Sequence, residues 1–333
     1  MRATFTRDRF RTRLSLLLSQ LALALGLLSV QTDGEEGPQG GVATAERIAS
    51  SPIENLYRLS PRLYSGAQPE GDMGFAALKQ MGIRTIISVD GATPDVGAAR
   101  KQGLRYVHLP IGYDGIPPAQ GLRTIKAVRD LPGPVFIHCH HGKHRGPAAA
   151  ALCAVASEGW TRDQALDWMR SAGTSADYRG LYRSVRLLPL PTAAELKDVP
   201  AEFSETAPVS TMIEIMVQVD RDWDRLKEDR GRNFRMPQKV DEATAAQTAL
   251  QLAERFRELA RLETAESRGQ KFVAMARRAG DAAHKLHQGL KELEKSDTPG
   301  DRKAVDAAWK MIAGSCVECH KRYRDESEET VQP

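Results

Sequence analysis

Between residues 53 and 190, short apolar runs alternate with longer amphipathic stretches. The runs at 84–90 (RTIISVD), 104–111 (LRYVHLPI) and 134–139 (PVFIHC) are rich in Val and Ile and predict buried strands. The stretches 74–81, 118–130, 147–158 and 161–171 predict helices, the last opening on Thr161 and Gln164 at capping-box spacing. This alternation implies an α/β domain with a central, mostly parallel sheet over 53–190. Residues 191–207 carry Pro191 and Pro200 among small and polar residues and read as a linker. Beyond it no strand-like run occurs. Four segments at 208–228, 243–262, 269–293 and 302–326 repeat apolar residues every three to four positions; in the third, Phe272, Met275, Ala276, Ala279, Ala283, Leu286 and Leu290 form one stripe. Four such helices with short connections predict an all-α four-helix bundle over 208–326, followed by a tail at 327–333.

The N-terminus has a different pattern. Arg2, Arg7, Arg9, Arg11 and Arg13 precede an apolar run at 14–30, which reads as the charged and apolar regions of a signal peptide. No Ala-x-Ala cleavage pattern follows, so residues 1–30 also suit an N-terminal membrane anchor, near the lower length limit for spanning. Residues 31–52, rich in Gly, Glu and Gln, read as a disordered lead-in. Removing residues 1–30 removes five Arg and one Asp and brings the formal charge from +4 to zero. The basic balance therefore belongs to the leader and is no argument for nucleic acid. The chain has only four Cys, which excludes a disulfide scaffold.

Two of those Cys lie in Cys316-Val317-Glu318-Cys319-His320, the attachment signature for c-type haem. On a helix, positions three and four apart share a face, so two thioether bonds and one iron–imidazole bond reach one porphyrin from a single turn. A redox dithiol or half of a zinc site are the alternatives; a zinc site would want a second Cys/His pair, and none stands out. Covalent haem attachment takes place outside the cytoplasm, in keeping with the leader.

With the motif in the last helix and Tyr323-Arg324 after it, residues 205–326 resemble the cytochrome c-prime and cytochrome c-556 family. The resemblance implies one covalent haem c held by Cys316 and Cys319, His320 as proximal iron ligand, and Arg324 beside that ligand. In low-spin members a Met on the first helix is the distal ligand. Met212 and Met216 lie four apart there, and Met216, deeper in the helix, is preferred; core packing is the competing use of both. His284 and His287 read as polar-face residues. The family also implies a possible homodimer through the bundle and a redox partner.

The second motif is His138-Cys139-His140-His141-Gly142-Lys143-His144-Arg145, closing a predicted strand and opening a predicted helix. Cys-x5-Arg at such a turn is a phosphate cradle. Loop N–H groups and the helix N-terminus attract an anion and stabilise a thiolate at Cys139. Arg145 offers a planar fork to phosphoryl oxygens, and Gly142 lets the loop turn. The four His also allow a metal site as an alternative. Cys153, the other free thiol, reads as a small buried hydrophobe.

The loop resembles the protein tyrosine and dual-specificity phosphatase signature, His-Cys-x-x-Gly-x-x-Arg. The upstream Leu63-Tyr64-Ser65-Gly66-Ala67-Gln68-Pro69 and Gly82-Ile83-Arg84-Thr85-Ile86-Ile87 resemble the compact dual-specificity-like subgroup. By that likeness Cys139 is the nucleophile, Arg145 and the loop from His140 through His144 bind the phosphate, and an Asp on an upstream loop is the general acid. Asp114, in Gly112-Tyr113-Asp114-Gly115, is the candidate, with Asp90 and Asp95 as runners-up. The chain departs from the family at Gly146, where Ser or Thr is usual and helps the thiolate leave. The resemblances together imply an exported phosphatase, acting on a phosphomonoester or phosphoprotein, fused to a haem domain for electron transfer or redox or gas sensing. The alternative is a haem protein whose phosphate loop binds anions without turnover.

Overall fold

The computed structural model describes residues 45–49, 51–237 and 242–325, with Arg324 and Asp325 described by backbone alone. The leader expected at 1–30, most of the lead-in, the tail and the placing of the Arg324 side chain lie outside the described residues.

Among the described residues, six strands form one mixed sheet: β1 Glu46–Arg47, β2 Tyr57–Arg58, β3 Leu63–Ala67, β4 Thr85–Ser88, β5 Arg105–His108 and β6 Val135–Cys139, in spatial order β1-β2-β3-β6-β4-β5. The four strands β3, β6, β4 and β5 are parallel; β1 and β2 add an antiparallel edge. The three strands expected from sequence are β4, β5 and β6. Their residues alternate between two cores. Ile87, Val107, Val135 and Ile137 enter one apolar cluster, while Ile86, Tyr106 and Phe136 enter another. That is the period-two geometry of strands buried on both faces. β3 was not expected as a strand, because Ser65 and Gly66 interrupt its apolar character, yet all five of its residues are buried. Register brings Ala67 and Ser88, the last residues of β3 and β4, beside Cys139 and His138 at the end of β6.

The flanking helices are α1 Gly71–Gln80, α2 Val96–Lys101, α3 Pro118–Asp130, α4 Arg145–Ser157, α5 Arg162–Ser171 and α6 Arg179–Leu187. The expected capping box is present: Gln164 N donates to Thr161 Oγ1, and Thr161 N to Gln164 Oε1. Cys153 lies fully buried in α4 within the apolar core, and burial pushes its thiol up.

Residues 191–207 are not a free tether. Thr192 and Glu195 cap a short helix, α7 Ala193–Asp198. Leu196 and Phe203 enter the first core. The Ser204 carbonyl accepts from His108 N at 3.0 Å, which extends the β5 edge. Lys126 Nζ also donates to the Leu196 carbonyl at 2.8 Å, and Ala207 N to His108 Nδ1 at 3.2 Å.

The helical lobe contains α8 Met212–Gly231, α9 Ala245–Leu259, the short α10 Glu263–Ser267, α11 Gln270–Ser296 and α12 Pro299–His320, ending in a π-helical turn at Lys321–Asp325. Thr211, Thr244 and Thr298 each begin a capping box, which explains where α8, α9 and α12 start. The stripe from Phe272 to Leu290 is buried throughout. Trp223 of α8 meets Trp309 of α12 with ring centroids 4.2 Å apart. No described helix is long and apolar enough to cross a membrane.

His287 does not lie on a polar face. It is buried, with Nδ1 2.8 Å from the Ala246 carbonyl and Nε2 3.4 Å from Asp177 of the other lobe. Its neighbour His284 is partly buried and meets Gln288. Three-to-four spacing put His287 beside Leu286 and Leu290, and the facing lobe supplied a carboxylate for it.

His138 makes stability depend on pH. Its ring is buried against Phe136, with Nε2 2.6 Å from the Tyr106 hydroxyl. Burial pushes its pKa down to about 4. The native state therefore holds His138 neutral while the unfolded chain takes up a proton below about pH 6.5. Its contribution is complete above that pH and is lost toward pH 4, at no more than about 1.4 kcal/mol per pH unit. We expect denaturant titrations to show a lower unfolding free energy at pH 5 than at pH 7, with the slope reduced in His138→Phe.

Candidate active site

The segment from Cys139 to Arg145 leaves the central strand and enters α4 as a loop, three of whose carbonyls are held by donors outside it. Gln68 N donates to the His140 carbonyl at 3.0 Å, Asn55 Nδ2 to that of Gly142 at 2.8 Å, and Thr174 Oγ1 to that of Lys143 at 2.7 Å. The amides of His141, Gly142, Lys143 and His144 donate to no other described residue. A loop with bonded carbonyls and free amides at a helix N-terminus is an anion nest. Gly142 is required twice. Its φ of +63° is the left-handed region, and a Cβ there would lie 2.2 Å from the Gly66 carbonyl carbon.

Cys139 is 3% exposed and acts electrostatically on both Arg145 and Tyr113. Arg145 is fully buried. Its Nη2 donates to Asp90 Oδ2 at 3.2 Å and to the Tyr113 hydroxyl at 2.9 Å, and Cζ stands 4.1 Å from the Tyr113 ring centroid. Its Nη1 meets Glu258 Oε1 at 2.5 Å, and its Nε has no hydrogen-bond partner among the described residues. A buried guanidinium donor without a partner is costly unless an anion supplies one.

Asp90, a runner-up for the general acid, is a buried counter-ion instead. It accepts from His140 N at 2.6 Å, Ala92 N at 2.9 Å, Arg261 at 2.9 Å and Arg145. Burial alone would raise its carboxyl, but the two guanidinium groups outweigh it and hold Asp90 ionised below the usual carboxylate range. Such a group has no proton to give. Asp95 is elsewhere: its Oδ1 accepts from Ala98 N as the cap of α2. Asp114 is exposed and outside the lining of the cleft; it lies near Asp222 of α8, whose carboxyl is raised chiefly by burial and a little further by the Asp114 charge. Its neighbour Tyr113 is the residue of that loop that reaches Arg145.

The histidines divide by environment. His138 belongs to the core. His140 and His141 lie with ring centroids 4.2 Å apart, and His144 lies 4.3 Å from Tyr178. Burial pushes His140 and His144 down to about 4, so both are neutral near pH 7. Lys143 is exposed, with its stem beside Gly173. Over the loop lies a cleft of about 350 Å³, lined by Tyr113, His140, His141 and His144 from one lobe and by Glu254, Arg257, Glu258, Ala260, Arg261 and Arg277 from the other. Asn55, Thr174, Glu258 and Arg261 were not singled out from sequence. The i, i+4 carboxylates Glu254 and Glu258 were the one local signal, and they read equally as a solvated face.

A second cavity, of about 540 Å³, lies within the helical lobe. Cys316, Cys319 and His320, in the last turn of α12, line it. Its other walls carry Met212 and Met216 of α8, Phe256 and Leu259 of α9, and Phe272 and Met275 of α11. Burial pushes both thiols up. Tyr323 stands edge-on to Phe272, and its carbonyl accepts from Arg268 Nη1 at 3.1 Å.

No protein-family model matches the chain. The chain is 33% identical over 129 residues to the dual specificity protein phosphatase TpbA of Pseudomonas aeruginosa strain UCBPP-PA14. The match covers 38% of this chain and 57% of that protein, and strain PAO1 has a 32% identical counterpart. The chain thus spans little more than half the length of these curated relatives. Among solved structures, the crystal structure of P. aeruginosa TpbA aligns at 31% identity and a TM-score of 0.38, covering 43% of this chain and 89% of that one. A TpbA variant in complex with pTyr aligns at 30% identity with the same TM-score and coverage.

The loop geometry sets a test at Gly142. Gly142→Ala forces a left-handed Ala against the β3 backbone, and we expect it to lower stability by about 2 kcal/mol or more. Denaturant unfolding measures this, and Gly115→Ala, at a positive-φ glycine outside the loop, is the comparison.

Proposed function

We propose that the chain hydrolyses phosphomonoesters at Cys139 and carries a c-type haem in its helical lobe. The supporting observation for the first half is the combination of free loop amides, an unpartnered Arg145 Nε and a buried Cys139 thiol at the end of the central strand. The likeness to proteins named dual specificity phosphatases supports it independently.

In this reading the phosphoryl group sits in the nest with its oxygens on the loop amides and Arg145. The Cys139 thiolate attacks phosphorus, the S–P bond forms, and the P–O bond to the leaving group breaks. The leaving oxygen takes a proton from Asp114, brought over the nest by its loop, whose Tyr113 already packs on Arg145. Water then gives a proton to the Asp114 carboxylate and attacks phosphorus, the S–P bond breaks to regenerate the Cys139 thiolate, and inorganic phosphate departs. Gly146 supplies no hydroxyl for that step, although a Cβ there would lie 3.4 Å from Cys139 Sγ. Gly146 favours a second reading, in which the loop binds anions without sustained turnover.

With a chromogenic aryl phosphate, we expect Cys139→Ser to abolish turnover and Asp114→Asn to slow it about a hundredfold. Rates equal to wild type in Cys139→Ser would rule out cysteine catalysis, and a single burst without steady turnover would favour the second reading.

The haem proposal rests on the donor set around the second cavity. Two thiols and an imidazole stand on one helical turn, with two thioethers on α8, around a hollow lined mainly by apolar side chains with Asp220, Arg268 and Ser315 among them, and these residues fit a covalently held porphyrin. Cys316 and Cys319 would hold it, His320 would bind its iron and Met216 would take the distal position. Bound there, a haem supplies one-electron chemistry or a site for a small gas. We also propose that the chain is exported, soluble or anchored through residues 1–30, since attachment needs that compartment. Protein matured in an exporting host should show a c-type absorption spectrum that survives acid–acetone extraction. It should be colourless in Cys316→Ala/Cys319→Ala, and Met216→Ala should shift a low-spin spectrum to high spin while Met212→Ala does not.

A further inference from the structure

The two carboxylates on Arg145 are held very differently. Asp90 is buried and tied to a loop amide, a second arginine and its own turn, so it is a fixed part of the loop's framework. Glu258 comes from the last turn of α9, its side chain is 23% exposed, and among the described residues its ion pair is with Arg145 Nη1. Its Oε1 lies so close to Gly91 that a Cβ there would be 2.7 Å away, so a residue without a side chain makes room for it. The helix that presents it is secured on both sides: Tyr178 donates to Glu254 Oε1 at 2.8 Å, Arg261 grips Asp90, and Leu250 enters the core of the first lobe. Glu258 is therefore delivered to the nest by the other lobe rather than resting on it by chance.

A phosphoryl group gripped by Arg145 takes its oxygens from the same guanidinium donors that a carboxylate uses. Nη2 is already engaged by Asp90 and Tyr113, and Nη1 by Glu258 and, at 3.4 Å, by the Ile111 carbonyl. Only Nε is left for an incoming anion.

We propose that Glu258 is a built-in competitor for the phosphate site: the helical lobe occupies Arg145 with its own carboxylate, and a phosphoryl group binds fully only by displacing it. The proposal rests on the phosphate-binding reading of the loop given above. It makes the helical lobe a regulator of that loop, because any shift of α9 away from Gly91 frees Nη1.

Calorimetric titration of the full chain with inorganic phosphate tests it, comparing wild type with Glu258→Gln, which keeps the shape and removes the charge. Glu258→Ala, which removes the side chain, is the second variant, and circular dichroism establishes that each is folded. We expect both variants to bind phosphate about tenfold more tightly, the size of a typical coupling between sites, and to show a correspondingly lower KM for an aryl phosphate. Equal affinity in wild type and both variants overturns the proposal while leaving the phosphate site intact. Weaker binding in both variants also overturns it, because Glu258 would then assist the anion. Arg145→Ala, made in the wild-type and Glu258→Gln backgrounds, separates the two levels: if neither wild type nor Glu258→Gln binds phosphate, or if binding is unaffected by loss of Arg145, the loop itself is misread and the competitor falls with it.

Discussion

A fully buried guanidinium next to a thiol is the constraint around which the molecule is arranged. Taking Arg145 out of water costs several kcal/mol unless its charge is met. Asp90 meets it, and through His140 N the same carboxylate fixes the first amide of the loop. The pair exists because of strand register. Asp90 follows β4 and Cys139 ends β6, and these are adjacent parallel strands with Ser88 paired to His138. A one-residue slip would turn Asp90 away from the loop and send the residues fitted to each core into the other. The hydrophobic pattern that sets the sheet thus also sets the electrostatics of the site.

Much of this was legible in the sequence where the signal is local. The strands at β4, β5 and β6 announce themselves by runs of Val and Ile, and the helices by spacing and by Thr caps. Cys139, Gly142 and Arg145 sit at a strand-to-helix turn, as their spacing implied, and Cys316, Cys319 and His320 share one cavity wall. The rest depends on pairings across the chain. β3 is held by neighbours on both sides rather than by its own composition. Asp90 acquires its role from Arg145, 55 residues away, and from Arg261, 171 residues away. Asn55 serves the loop from a turn of its own with φ of +51°, a conformation in which Asn is tolerated. Asp114 stood out because Gly and Pro surround it, but that composition describes the turn and not where its carboxylate ends up.

The contact between the lobes is more polar than either core. Asp177 receives Lys291 at 2.8 Å and faces His287, Tyr178 reaches Glu254, and Arg145 and Asp90 reach Glu258 and Arg261. Leu250 adds an apolar contact by entering the first lobe's core. Interfaces between domains of one chain commonly have this character. Here the polar groups are also those of the cleft, so the packing of one lobe on the other and the composition of the site are a single arrangement.

Helix α9 is a party wall. One side of it, through Phe256 and Leu259, closes the hollow beside Cys316 and His320, and the other, through Glu254 and Glu258, closes the cleft over Arg145. A helix of this length behaves as a stiff rod with 1.5 Å between successive residues. Tilting or rotating it in one room rearranges the furniture in the next. Any displacement of α9 therefore moves side chains that line both spaces at once.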